Sequence, residues 1–309
     1  MRFAIYGAGG LGGYYGARLA EAGQEVAFIA RGAHLDAIRK NGLKVISPLG
    51  DLHLKKPTAT SDPQEVGTVD VVIVAVKTWQ VPEAARAMQP MIGADTIVVP
   101  FLNGVQAPDE LAEILGAQHV LGGLSKIFSL IESPGVIRHS NPGAYVEIGE
   151  LQGGHSARVE ALRAAFEQSG AQAKASDDIR TELWKKLLIV SSWAGLGALC
   201  RSPMGVIRTQ PETRALVDRA MDEGIAVGKR RGYPLPDSYN TELWGFYDAL
   251  PADATASMQR DVMAGKPSEL DAWNGAIVRF GTETGVDTPV HRFTYHALLP
   301  MERRARGQI

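Results

Sequence analysis

Short apolar runs alternate with longer amphipathic segments through the first half of the chain. RFAIYG, EVAFIAR, LKVI, VDVVIVAVK, DTIVVPFLNG and HVLGGLS are rich in Val and Ile and read as strands, with GGYYGARLAEAG, HLDAIRKNG, VPEAARAMQPMI and APDELAEILG as the helices between them. Residues 71–76 are apolar at every position, as a strand covered on both faces requires. The pattern predicts a parallel, doubly wound α/β sheet of the Rossmann type. GVIRHSNPGAYVEIGE, with its alternation and Pro/Gly turns, predicts an antiparallel excursion, after which a helix over 157–170 and a short strand over 171–176 close the sheet.

Beyond residue 177 the period changes. Segments 179–200, 212–231, 269–285 and 289–304 have helical length and spacing, and no strand is expected among them. Two domains follow, 1–176 and an all-helical 177–309. Within the second, TELWKKLLIV places two lysines in a run that otherwise reads as a buried face, since Leu183, Leu187, Val190 and Ala194 recur at helical spacing. Glu182 stands four residues before Lys186, the favourable order for a helix ion pair, and lysine stems often lie along apolar surface. A purely structural pair is therefore one reading of this stretch.

Composition narrows the classes. A chain of 309 residues suffices for two cores. A formal net charge of −2 and the lack of a dense Lys/Arg run argue against nucleic acid as a partner. Cys200 is the only cysteine, which excludes an internal disulfide and a cysteine-based zinc site. No two histidines pair with a carboxylate at ligand spacing, so no metal is expected. The start MRFAIYGAGG lacks a signal-peptide pattern, and the apolar stretch 187–200 is shorter than the ~20 residues of a membrane span, so a cytoplasmic protein without membrane association is expected.

GAGGLG, comprising Gly7, Ala8, Gly9, Gly10, Leu11 and Gly12, follows a strand and opens a helix, the context in which G-x-G-x-x-G binds a dinucleotide. Gly7 permits the turn, Gly9 the approach of a pyrophosphate, and Gly12 close helix packing. The second strand ends in Arg31 with no Asp or Glu beside it, and a guanidinium suits a 2′-phosphate, so the expected cofactor is NADPH/NADP rather than NAD. Lys77 and the Asn103-Gly104 pair close two further strands at the edge where such sheets bind ligands.

In combination, GAGGLG, Arg31, VKTWQ, FLNG, LWKKL, ASMQRDV and SELDAWNG resemble the ketopantoate reductases (2-dehydropantoate 2-reductases) along nearly the whole chain. The resemblance implies a Rossmann domain followed by a helical substrate and dimerisation domain, with the active site between the two, and a homodimer as the expected assembly. It makes Lys186 the catalytic proton donor and Asn103 a residue between nicotinamide and substrate. It further makes Lys77 and Glu269 cofactor contacts, Glu269 near Lys186, and Ser257 a substrate-binding serine. The implied reaction is NADPH-dependent reduction of a small 2-oxo acid, in which a cation stabilises the charge developing on the carbonyl oxygen and supplies the proton.

Four positions depart from the family pattern, since substrate asparagines are replaced by Val190, Ala194, Met204 and Ala254. A more apolar 2-oxo acid is thus one alternative. An opine or 3-hydroxyacid type dehydrogenase is a second, and an NADP-sensing module without turnover is the non-enzyme alternative.

Overall fold

The computed structural model describes all 309 residues, which divide into two compact units. One comprises Met1–Leu102 with Gln106–Glu182, the other Asn103–Val105 with Leu183–Ile309. The division falls inside a continuous helix, whose first turn serves the sheet unit. There Ile179 fills the space over Gly122 and Gly149, where a Cβ would come within 2.7 and 3.0 Å of it.

The sheet unit runs β1 (Arg2–Tyr6), α1 (Gly10–Glu21), β2 (Glu25–Ile29), α2 (Gly32–Asn41), β3 (Leu43–Ile46), β4 (Leu52–Leu54), β5 (Thr58–Thr60), β6 (Val71–Val74), α3 (Val81–Ala87), β7 (Ile97–Pro100) and α4 (Ala107–Leu115). It continues through β8 (Leu121–Lys126), β9 (Ser129–Ser133), β10 (Val136–His139), β11 (Tyr145–Glu150), α5 (Ala157–Gln168) and β12 (Gln172–Ala175). Strands β5-β2-β1-β6-β7 form a wholly parallel sheet in which β6 and β7 are buried from end to end and β1 and β2 at all but their first residue, as their apolar runs require. The order reverses between β1 and β6, and this is the switch point at which ligands bind in doubly wound sheets. Helix α1 lies close over it because Gly16 carries no Cβ, which would fall 2.6 Å from Ile5 and Phe28.

Two sequence expectations are corrected here. LKVI does not join the parallel sheet; β3 pairs antiparallel with β4 and parallel with β10 in a separate sheet ordered β4-β3-β10-β9. Its buried-exposed-buried alternation is that of a one-sided sheet. The third place in the parallel sheet belongs instead to the three residues of β5, too short and polar to show a pattern. Strand β12 does not close the parallel sheet either. With β11 and β8 it makes a third sheet, linked to β7 by the single bridge Val98↔Val120. The antiparallel excursion is present as β9–β10 and β8–β11.

The remaining elements are helical: α6 (Ile179–Cys200), α7 (Met204–Thr209), α8 (Pro211–Arg230), α9 (Tyr239–Ala249), α10 (Ser257–Met263), a π-helical turn Asp271–Gly275, α11 (Ala276–Thr284) and α12 (Pro289–Ala305). Their core gathers Trp184, Leu187, Leu188, Met221, Tyr247, Trp273 and Leu298. Helix α8 approaches α6 at Gly224 and Gly228, where a Cβ would lie 2.3 Å from Leu188 and from Trp184. Trp184 Nε1 donates to the Gly224 carbonyl at 3.2 Å in the same contact. Helix α6 extends back to Ile179 and so has the length and apolar content of a membrane span; most of that span is buried in the protein, which is the condition of a core helix.

Candidate active site

The turn after β1 is built by glycines that do different things. Gly7 has φ 102°, and a Cβ there would lie 2.7 Å from the Ala75 carbonyl, so the turn presses against the end of β6. Gly7 and Ala8 donate their N–H groups to the Ile29 carbonyl at 3.2 and 3.0 Å. A Cβ on Gly12 would meet the Gly7 carbonyl at 2.2 Å, and one on Gly10 the Ser129 carbonyl of β9 at 2.6 Å. Around Gly9, in contrast, no atom lies within 4 Å of the Cβ position. Helix α1 starts at this open face with no side-chain cap and no acidic residue in its first turn. Its positive end therefore lies beside a cradle that a Cβ would fill, which fits the pyrophosphate of a dinucleotide.

Arg31 stands two residues past β2 as the N-cap of α2, exposed, with Nη2 3.4 Å from Glu83 Oε1 on α3. Tyr6, the last residue of β1, lies beside it: burial raises the phenol's pKa and the Arg31 charge opposes the rise. Strand β6 ends at Val74, three residues before Lys77, which caps a short 3₁₀ turn Thr78–Gln80. Its backbone N–H donates to Gln80 Oε1 at 3.1 Å, and its ammonium sits 5.9 Å from the centroid of the Trp79 ring. Glu83 and Tyr6 were not legible as neighbours of Arg31, because only the parallel register aligns the ends of β1, β2 and β6.

Asn103, Lys186, Ser257 and Glu269 all fall in the helical unit, whereas the glycine loop, Arg31 and Lys77 fall in the sheet unit. Asn103 is half-buried, three residues past the end of β7, and its neighbour Gly104 has φ 93° with its Cβ position 3.4 Å from the Ala272 carbonyl of the π-helical turn. On α6 both lysines are half-buried, with Leu183 and Leu187 buried on either side of Lys186 and the Lys185 ammonium 6.0 Å from the Tyr239 ring centroid. Ser257 opens α10, whose buried Gln259 donates to the carbonyls of Gly197 and Ser202 at 3.1 and 2.9 Å and so ties that helix to the end of α6. Glu269 is buried at 6% exposure, two residues before the π-helical turn.

Of the four apolar replacements, Ala194 and Met204 are wholly inside the helical core, while Val190 and Ala254 are only partly buried at its surface. The Met204 N–H donates to the Ala254 carbonyl at 3.0 Å, which joins the start of α7 to the loop before α10.

Both halves of the chain match family models, residues 3–153 that of Ketopantoate reductase PanE/ApbA and residues 178–302 that of its C-terminal part. The 2-dehydropantoate 2-reductase of Mesorhizobium japonicum is 33% identical over 325 residues, covering 98% of this chain and 97% of that protein. The chain belongs to the ketopantoate reductase family. A second relative within the family, the 2-dehydropantoate 2-reductase of a Nostoc species, is 31% identical over 100% of this chain and 98% of its own. The crystal structure of a PanE/ApbA family ketopantoate reductase from Ralstonia eutropha JMP134 superposes with a TM-score of 0.91 at 32% identity, over 99% of this chain and 100% of that one. As a ketopantoate reductase family member the protein is an oxidoreductase acting on CH–OH groups, and the resemblance carried by GAGGLG, LWKKL and SELDAWNG is that of a true relative.

Proposed function

We propose that the protein reduces a 2-oxo acid to the 2-hydroxy acid with NADPH, in a reaction of the ketopantoate-to-pantoate type. The observation that carries this reading is Lys186, a half-buried lysine set between buried leucines on the core helix of a ketopantoate reductase family member. The glycine loop, Arg31 and Lys77 would hold the dinucleotide, with Glu269 a further contact. NADPH, when bound, supplies the hydride. Lys186 then stabilises the charge developing on the carbonyl oxygen and donates the proton, while Asn103 and Ser257 orient the carbonyl and carboxylate. A small 2-oxo acid as the partner and a cytoplasmic location accompany this reading.

Val190 and Ala254 favour a second reading, in which the preferred acid has an apolar tail. Neither side chain can hydrogen-bond the 4-hydroxyl of ketopantoate, and an unpaired buried hydroxyl costs about 1–3 kcal/mol. The test for both is a steady-state panel of 2-oxo acids followed by NADPH oxidation. Turnover of at least one acid is expected, and a branched or aromatic acid should equal or exceed ketopantoate in kcat/KM. A tenfold preference for ketopantoate removes the second reading, and tight NADPH binding without turnover of any acid removes the first in favour of a sensing module.

A further inference from the structure

Every polar atom of Ser268, the residue before Glu269, is held. Its N–H donates to both carboxylate oxygens of Glu302 at 3.0 Å, and its hydroxyl donates to Oε2 at 2.5 Å while accepting the Leu270 N–H at 3.3 Å. Its carbonyl accepts from Arg306 Nη2 at 3.0 Å, and Arg306 Nε in turn donates to Glu302 Oε1 at 2.6 Å. Ser268 is fully buried and Glu302 is 5% exposed. Burying a carboxylate is costly unless it is fully bonded, and apolar side chains would attach the end of α12 to this loop without that cost. The arrangement thus secures one backbone position rather than simple adhesion.

That position leads directly into the π-helical turn, a distortion that recurs at functional sites. The turn is fixed on its outer side, where Asp271 accepts from Arg279 and Tyr295 at 2.8 Å. On its inner side Asn274 donates to the Ser191 carbonyl of α6 at 3.1 Å, five residues beyond Lys186.

We propose that Glu302, braced by Arg306, is a positioning residue: it holds Ser268 so that Glu269 is presented at a fixed place relative to Lys186 on α6. The inference rests on the roles given above to Glu269 and Lys186, and goes beyond them in assigning a task to the C-terminal helix.

Its test reads Lys186 directly, in protein without NADPH, as the pH dependence of reductive methylation followed by mass spectrometry of the α6 peptide. Wild type, Glu269→Gln, Glu302→Gln and the double variant are compared beside thermal unfolding and kcat and KM. A glutamine at 302 must turn its amide toward donors of Ser268 or Arg306, so it breaks the clamp while keeping the volume. Removing the Glu269 charge is expected to lower the labelling midpoint by about one pH unit, the effect of losing a close opposite charge. Glu302→Gln should give roughly half of that shift or more, and the double variant no more than Glu269→Gln alone. If Glu302→Gln lowers the unfolding temperature but leaves the labelling profile in place, or if the two shifts add, the residue is only a structural brace and the proposal fails by itself. A profile unmoved by Glu269→Gln overturns the role of Glu269 and this inference with it. Should Glu302→Gln not fold, Ser268→Ala, which removes the hydroxyl's bonds to Glu302 and to the Leu270 N–H but keeps those of Ser268's own backbone, is read by the same criteria.

Discussion

His34 donates from Nε2 to the carbonyl of Ala8, inside the glycine loop, at 2.9 Å, while its Nδ1 accepts the Gly135 N–H at 3.1 Å. This pair of bonds requires the neutral ring, and burial holds the His34 pKa below its usual 6.5. Between the two values the unfolded chain binds more protons than the folded one. The stabilising contribution is therefore complete above about pH 6.5 and is lost as the pH falls toward the lower folded value. Thermal unfolding and NADPH affinity, measured from about pH 7 to about pH 5, should both decline more steeply in wild type than in His34→Gln. Parallel profiles would mean that His34 does not link the loop to pH.

The glycines of the loop can be separated by experiment. Gly9→Ala adds a methyl where no atom lies within 4 Å, so the unfolding temperature should stay near wild type while NADPH binding weakens. Gly10→Ala meets the Ser129 carbonyl at 2.6 Å and should lower stability even without cofactor. A Gly9→Ala protein that binds NADPH normally would show that the open face is not the pyrophosphate site.

Arg31 and Glu83 share an exposed ion pair at 3.4 Å. Arg31→Ala should raise the KM for NADPH by roughly 10- to 100-fold, the worth of hydrogen bonds to a charged group, with little change for NADH. Glu83 competes for the same guanidinium, so Glu83→Gln should favour NADPH, by a few-fold at most because surface pairs are weak. Equal changes for both dinucleotides would assign Arg31 another role.

Lys186→Ala should cut kcat by roughly 10²–10⁴, the usual contribution of a positioned acid, with NADPH affinity near wild type. Lys185, whose ammonium lies 6.0 Å from the Tyr239 ring centroid, has no role in the proton transfer on this reading, and Lys185→Ala should leave kcat near wild type. Kinetics in which Lys185→Ala is the damaging change would exchange the two assignments.

What the sequence determined was whatever follows from local chemistry. Unbroken runs of valine, isoleucine and alanine dictated buried parallel strands, helical periods after residue 177 dictated an all-helical second half, and GAGGLG dictated a tight strand-turn-helix with an uncapped helix start, because backbone freedom at glycine acts within a few residues. Only the tertiary structure decided which strands pair, since the β5 edge and the separate β3–β10 sheet depend on partners about 30 and 90 residues away. It also decided that Ala194 and Met204 belong to the core while Val190 and Ala254 do not, a distinction of direction that composition does not carry. The clamp of Glu302 on Ser268 spans 34 residues and leaves no local signature, for a carboxylate at position 302 reads as a solvated end until α12 folds back and buries it.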